Sequence, residues 1–210
     1  MSFKLKAALA LAGVVAFVAL AVAAHLSPTF PGDAALARLA QGWRPPFLDG
    51  LLRGVSFIGY GLPALVVTLA AAAGLYAVGR RWDAVFAVAT LLGDAADVVL
   101  KVVVARPRPG VEFARDYETL LTFSFPSGHA THTFIFYGYL IVVVAALPVG
   151  ATWRRAAQAA LALLIVLTGL SRVYLGAHWP SDVVGGWLLG ALMLWALLAA
   201  RRRIPRAGRD

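Results

Sequence analysis

The run VVGGWLLGALMLWALLAA, residues 183–200, carries no charged side chain over its eighteen positions, and Arg201-Arg202-Arg203 follows it at once. A helix rises about 1.5 Å per residue, so about 20 apolar residues cross the roughly 30 Å of hydrocarbon in a bilayer. Five further runs of the same character lie upstream, at 5–26, 57–78, 83–105, 128–149 and 156–173. Across all 210 residues, 61% are hydrophobic and only 14% charged, a balance too apolar for an ordinary soluble domain. The runs are continuously apolar and do not alternate, which excludes a transmembrane barrel and predicts helices. The sequence therefore predicts an all-α polytopic membrane protein: one domain over 1–210, with six transmembrane helices in a bundle. The first run, with Lys4 and Lys6 before it and Ala21, Ala23 and Ala24 near its end, also fits a cleavable secretory signal. Its length favours a span that is kept.

Charge sets the expected orientation. The net charge of +9 sits in short clusters between the apolar runs, as membrane topology requires, and so argues against nucleic acid as a partner. Lys4 and Lys6, Arg80-Arg81, Arg154-Arg155, and Arg201-Arg202-Arg203 with Arg206 and Arg209 all fall on one side if six spans alternate. The positive-inside rule makes that side cytoplasmic, with both termini, in a bacterial-type plasma (inner) membrane. Residues 27–56, 106–127 and 172–182 then gather on the extracytoplasmic face. Within 33–54, Leu36, Leu39, Trp43, Phe47, Leu51 and Leu52 are interspersed with Asp33, Arg38, Arg44, Asp49 and Arg53. That pattern predicts a short interfacial helical segment between spans 1 and 2, either a lid near substrate or a plain headgroup anchor.

Three polar clusters fall on the outer side. The first places Lys101 at the end of the third run, one helical turn after Asp97, with Arg106 and Arg108 following in ARPRP. An ionisable group at that depth is costly unless paired or functional, and a local Asp97–Lys101 pair is the plain reading. The second is Phe125-Pro126-Ser127-Gly128-His129 at the head of the fourth run. Ser127 suits a helix cap, yet free N–H groups, a hydroxyl and a Gly at a positive helix end also form an anion site. His132 is expected to serve Thr131 or a neighbouring backbone group. The third is SRVYLGAHWPSD, residues 171–182. Pro180 fits the first helical position, which leaves His178 just outside the helix and Asp182 in its first turn, able to reach back to the imidazole. A carboxylate that fixes one ring nitrogen leaves the other free to attack.

Together these clusters offer Lys101, Arg108 and Arg172 as cations, Ser127 and Gly128 as oxygen contacts, and two imidazoles. Phosphoryl transfer needs such an inventory, because negative charge spreads over the equatorial oxygens while one group attacks and another protonates the leaving oxygen. His129, His132, His178 and Asp182 could be imagined around a metal, but three nearby cations would repel a divalent ion, so no metal and no cofactor is expected. The sequence has no cysteine, which removes thiol catalysis and thiolate metal sites.

The motifs Lys101-x6-Arg108-Pro109, Pro126-Ser127-Gly128-His129 and Ser171-Arg172-x5-His178-x3-Asp182 resemble, in order and spacing, those of the type 2 phosphatidic acid phosphatase family, related to vanadium-dependent haloperoxidases. The resemblance implies a six-span core covering nearly the whole chain. It also implies roles: His178 attacks phosphorus and forms a phosphohistidine, with Asp182 orienting it, and His129 protonates the leaving group. Lys101, Arg108, Ser127, Gly128 and Arg172 would hold the phosphate oxygens. The layout is similar to small bacterial members acting on undecaprenyl pyrophosphate or phosphatidylglycerophosphate. The expected partner is therefore a membrane lipid phosphate, undecaprenyl pyrophosphate first, with phosphatidylglycerophosphate or phosphatidic acid as the alternative. Arg106 receives no role from the motifs, nor do Glu112, Arg115, Asp116, Tyr117 and Glu118. Vanadate-dependent halide oxidation fits the cations and imidazoles but not six apolar spans, since the related oxidases are soluble. A transporter fits the spans, and the buried Asp94 and Asp97, but not three phosphate-directed clusters on one side.

Overall fold

The computed structural model of the protein describes residues 2–110, 112–113 and 122–204, and its regular structure there is helical. The helices are α1 (Phe3–Leu26), α2 (Asp33–Gln41), α3 (Pro46–Phe57), α4 (Gly61–Ala77), α5 (Arg81–Ala89), α6 (Leu92–Val104), α7 (Gly128–Ala145), α8 (Ala151–Tyr174) and α9 (Pro180–Arg201). Arg115, Asp116, Tyr117 and Glu118, together with Arg206 and Arg209 of the basic tail, lie outside the described residues.

Four helices, α1, α7, α8 and α9, are long and apolar enough to cross a bilayer, and α3 with α4 makes a fifth candidate if that pair, bent by 65°, is one span. The run expected at 83–105 is divided. Thr90 Oγ1 donates to the Ala87 carbonyl at 2.6 Å, Leu91 N–H bonds to Val88 O at 3.0 Å, and Gly93 N–H bonds to Thr90 O at 3.0 Å. These tightened i→i−3 bonds end α5 and start α6. The amphipathic stretch at 33–54 is also two helices, because Pro45 and Pro46 supply no N–H and favour an extended residue before them. On α2 the buried positions Asp33, Ala37 and Gln41 recur every fourth residue, while Leu36 and Leu39, with Trp43 just beyond, face outward. On α3, Leu52 packs on Tyr174 and Leu175 at the end of α8, and Tyr174 Oη donates to Asp49 at 2.5 Å.

α7 is the most buried of the spans and packs mainly against α8 and α9. Its Phe136 and Tyr137 meet Ile165 of α8, and Tyr139 and Val143 meet Ala84, Phe86 and Ala87 of α5. The outward sides of α1, α4 and α6 expose Leu9, Leu11, Val18, Leu62, Val66, Val98, Val99, Val102 and Val103. Such a belt is the surface that lipid tails cover. One end of the bundle is basic: Asp83 accepts from Arg80 at 2.7 Å and from Arg201 at 3.1 Å, and Lys6 lines a crevice with Trp195. α8 leads from Arg154 and Arg155 at that end to Arg172 at the other, and α9 runs back from Asp182 to Arg201.

Candidate active site

The end of the bundle opposite Arg201 collects four pieces of chain. After α6, Ala105 takes a left-handed conformation (φ +52°), and the Ser124 N–H bonds to the Arg106 carbonyl at 2.8 Å, which draws 122–127 back beside the exit from α6. The α8–α9 turn is made at Gly176, whose φ of +69° favours a residue without Cβ. Ala177 and His178 both donate backbone N–H groups to the Arg172 carbonyl, at 3.0 and 3.2 Å, so Arg172 and His178 are fixed relative to each other.

Arg108 reaches into this turn. Its Nη1 donates to Ala177 O at 2.6 Å and lies 3.2 Å from His178 Nε2, while Nη2 donates to Thr122 Oγ1 at 2.7 Å. A guanidinium only donates, so Nε2 is the accepting, unprotonated nitrogen and the ring proton belongs on Nδ1. Nδ1 stands 3.6 Å from Asp182 Oδ2, just beyond hydrogen-bond length, and has no hydrogen-bond partner among the described residues. The reach of Asp182 toward His178, expected from the sequence, is thus present but longer than a bond. Asp182 is already occupied: Oδ2 accepts from Ser124 Oγ and from Trp179 N–H at 2.8 Å, and Oδ1 accepts from Arg106 at 2.6 Å.

Ser127 occupies the cap position of α7 but makes no cap bond, and its buried hydroxyl has no hydrogen-bond partner among the described residues. Its N–H bonds to the Asp182 carbonyl at 3.0 Å, tying the starts of α7 and α9 together. A Cβ at Gly128 would come within 2.6 Å of the Asp97 carboxylate and 2.8 Å of the Tyr60 ring, so only Gly lets the chain pass here. His129 stacks on Tyr60, with ring centroids 5.2 Å apart. Lys101 Nζ pairs with Asp97 at 2.9 Å, as its spacing predicts, and also donates to the Pro126 carbonyl. Arg172 is buried and donates to Ser56 Oγ. His129 lies within electrostatic reach of Arg172, His178, Lys101 and Arg108, and His178 within reach of Arg108, Lys101 and Arg172. The predicted residues of all three clusters therefore share one space. Among the described residues no three His, Asp or Glu side chains come together to hold a metal ion.

Burial, and then the charges of Arg108, Lys101 and Arg172, hold the His178 imidazole well below its ordinary value. A depressed imidazole stays neutral, and so nucleophilic, as pH falls through about 6.5, where a free histidine would protonate. We expect the ring ¹⁵N resonances of His178 in detergent-solubilised protein to show no protonation between pH 7.5 and 5.5. A midpoint near 6.5 would contradict this environment.

A cavity of about 720 Å³ opens beside these groups, lined by Tyr60, Lys101, Arg108, Thr122 and Phe123 and walled by Val98 and Val102 on the exposed side of α6. Its lining combines the two cations Lys101 and Arg108 with apolar side chains of α6, a mix suited to a charged headgroup that carries an apolar tail. Some participants were not evident from the sequence. Tyr60, Ser56 and Asp33 lie outside the three clusters, and Arg106 stands in ARPRP beside Arg108 with nothing in the pattern to show which arginine turns inward. His132 also differs from expectation: Thr131 bonds to Ser127 O of its own helix at 3.1 Å, and His132 Nδ1 pairs with Asp94 of α6 at 3.0 Å. The carboxylate comes from a neighbouring helix, which no spacing within 128–149 could reveal.

An apolar helical bundle with a cavity lined by Lys101 and Arg108, beside two buried imidazoles, defines a polytopic membrane protein with an enzyme-like anion pocket. The model of the PAP2 superfamily matches residues 82–206, and the chain belongs to that superfamily. It is 29% identical to phosphatidylglycerophosphatase B of Bacillus subtilis (strain 168) over 195 residues, 90% of this chain and 93% of that one. It is 36% identical to the undecaprenyl-diphosphatase of Sulfolobus acidocaldarius over 110 residues, 50% of this chain and 47% of that protein. Among solved structures, the transmembrane PAP2 type phosphatidylglycerolphosphate phosphatase from Bacillus subtilis superposes with a TM-score of 0.82 at 29% identity, covering 94% of this chain and 98% of that one. Phosphatase chemistry on membrane lipids is what this membership carries.

Proposed function

We propose that the protein removes phosphate from a membrane lipid at the extracytoplasmic face through a phosphohistidine on His178, without a metal. The observation that carries this reading is His178 Nε2, held 3.2 Å from Arg108 Nη1 with Lys101, Arg172 and His129 around the same space. Nε2 attacks phosphorus as the P–O bond to the lipid breaks, and His129 gives a proton to the leaving oxygen. Asp182 stabilises the positive charge that forms on the imidazole. His129 then takes a proton from water, the water oxygen attacks phosphorus, the P–N bond breaks, and inorganic phosphate leaves. Lys101, Arg108 and Arg172, with the Ser127 hydroxyl and the N–H of Gly128, hold the oxygens whose charge grows in each transition state.

In this reading the chain is one domain with six spans: α1, α3–α4, α5–α6 as a broken third crossing, α7, α8 and α9. α2 lies at the membrane surface. The basic end faces the cytoplasm with both termini, in the plasma membrane. Phosphatidylglycerophosphate is the favoured substrate, because the relative named for it matches 90% of the chain, well beyond the 82–206 segment. Undecaprenyl pyrophosphate comes second, supported by a relative matched over half the chain. Phosphate release from these two lipids, phosphatidic acid and diacylglycerol pyrophosphate in mixed micelles decides the order. Trapping with ³²P-labelled substrate should yield a base-stable, acid-labile label that His178→Gln lacks. A label that survives that substitution would reject the proposed nucleophile. We further expect EDTA to leave turnover unchanged and vanadate to inhibit, since its trigonal bipyramidal adduct resembles the phosphoryl transition state. Turnover lost to EDTA and restored by a divalent ion, or unaffected by millimolar vanadate, would contradict the mechanism.

A further inference from the structure

Arg106 heads the fully buried side chains among the described residues in size, and it does not line the cavity. Nε donates to Pro28 O at 3.2 Å, Nη1 to Ser181 Oγ at 2.8 Å and to Asp182 Oδ1 at 2.6 Å, and Nη2 to Asp33 Oδ2 at 2.8 Å. Its guanidinium carbon lies 4.4 Å from the centroid of the Phe30 ring. Asp33, at the head of α2, also accepts from Ser181 N–H at 3.0 Å, Ser181 Oγ at 2.6 Å and Phe30 N–H at 3.1 Å. Asp33 lies outside the 82–206 segment, so the second carboxylate comes from a part of the chain the superfamily match does not cover.

A buried ion pair gains little net stability, because desolvation offsets the attraction. One carboxylate would already neutralise the arginine, yet here it meets two, and one of them faces the nucleophile. We propose that Arg106, held by Asp33, is a positioning residue for His178: it grips Oδ1 of Asp182 so that Oδ2 faces the imidazole. Asp33 takes up part of the guanidinium charge and leaves Asp182 able to support the positive charge of a phosphorylated ring. The inference rests on the phosphohistidine reading. It also links α2 to the reaction through Asp33–Arg106–Asp182, across residues that touch no substrate.

The test uses the full chain in detergent, with kcat, KM for phosphatidylglycerophosphate and Tm measured together. Arg106→Met leaves two buried carboxylates without their cation, and both Tm and kcat should fall. Arg106→Met combined with Asp33→Asn removes one of the two stranded charges, so Tm should recover in part while kcat stays about 10- to 100-fold low and KM moves by less than about twofold, the scale on which loss of an outer supporting partner acts. Recovery of kcat together with Tm would overturn the proposal, as would a loss carried by KM. Arg106→Lys keeps the charge but loses the fork that bridges both carboxylates. It should fold at normal yield with kcat about tenfold low, and wild-type turnover in this variant would also overturn the proposal. Failure of the underlying reading looks different: the wild-type protein itself would then form no base-stable, acid-labile phosphoenzyme.

Discussion

His178→Gln should lower lipid phosphate release by about 10⁴-fold or more, the scale seen when a catalytic nucleophile is removed. The ring is buried and reads as neutral, and Gln is close to it in volume, so the change strands no charge. Tm should therefore shift by only a few degrees, while the ³²P label disappears. A variant that kept more than about a tenth of wild-type turnover would remove His178 from the chemistry. The expected separation between a small effect on folding and a very large effect on rate follows from where the ring sits. It lies in the α8–α9 turn, whose shape is held by the His178 backbone N–H on the Arg172 carbonyl and so survives a change of side chain.

Arg172→Lys should cost about 10³-fold in kcat, within the range a transition-state arginine contributes to phosphoryl transfer. The guanidinium is buried, donates to Ser56 Oγ from one nitrogen, and stands within electrostatic reach of both imidazoles. A planar fork can bridge two equatorial oxygens, whereas an ammonium offers one compact charge. Because charge is kept and the Arg172 carbonyl still anchors the turn, Tm should stay close to wild type. A Lys variant with turnover within about threefold of wild type would show that Arg172 supplies charge alone and that its geometry is dispensable.

Much of this site was legible because the chemistry is local. Lys101 and Asp97 pair across one helical turn, as their spacing requires, and Pro180 starts α9 so that His178 falls just outside it. Gly128 and His129 follow directly on Ser127, so one helix start presents them together. Other features depended on packing. Ser127 reads as a cap, yet its hydroxyl makes no cap bond, and its N–H instead ties the start of α7 to the Asp182 carbonyl on another helix. Asp182 stands 3.6 Å from the His178 ring, and the partners that hold its two oxygens, Arg106, Ser124 and Trp179, could not be read from the spacing within 178–182. The apolar run at 83–105 reads as one helix, yet it turns tightly at Thr90 and Leu91, where propensity gives no break.

The sequence alone determined the membrane environment, the helical class and the inventory of cations and imidazoles at one end of the bundle, because each depends on composition and near-neighbour spacing. Only the tertiary structure decided which arginine of ARPRP faces the cavity and which is buried beneath it, that Tyr60 backs His129, and that Asp33 joins Asp182 through Arg106. The hydrogen bonds among them join residues 70 to 76 positions apart. Their partners are chosen by how helices pack, and a buried charge takes whichever opposite charge the packing brings within reach.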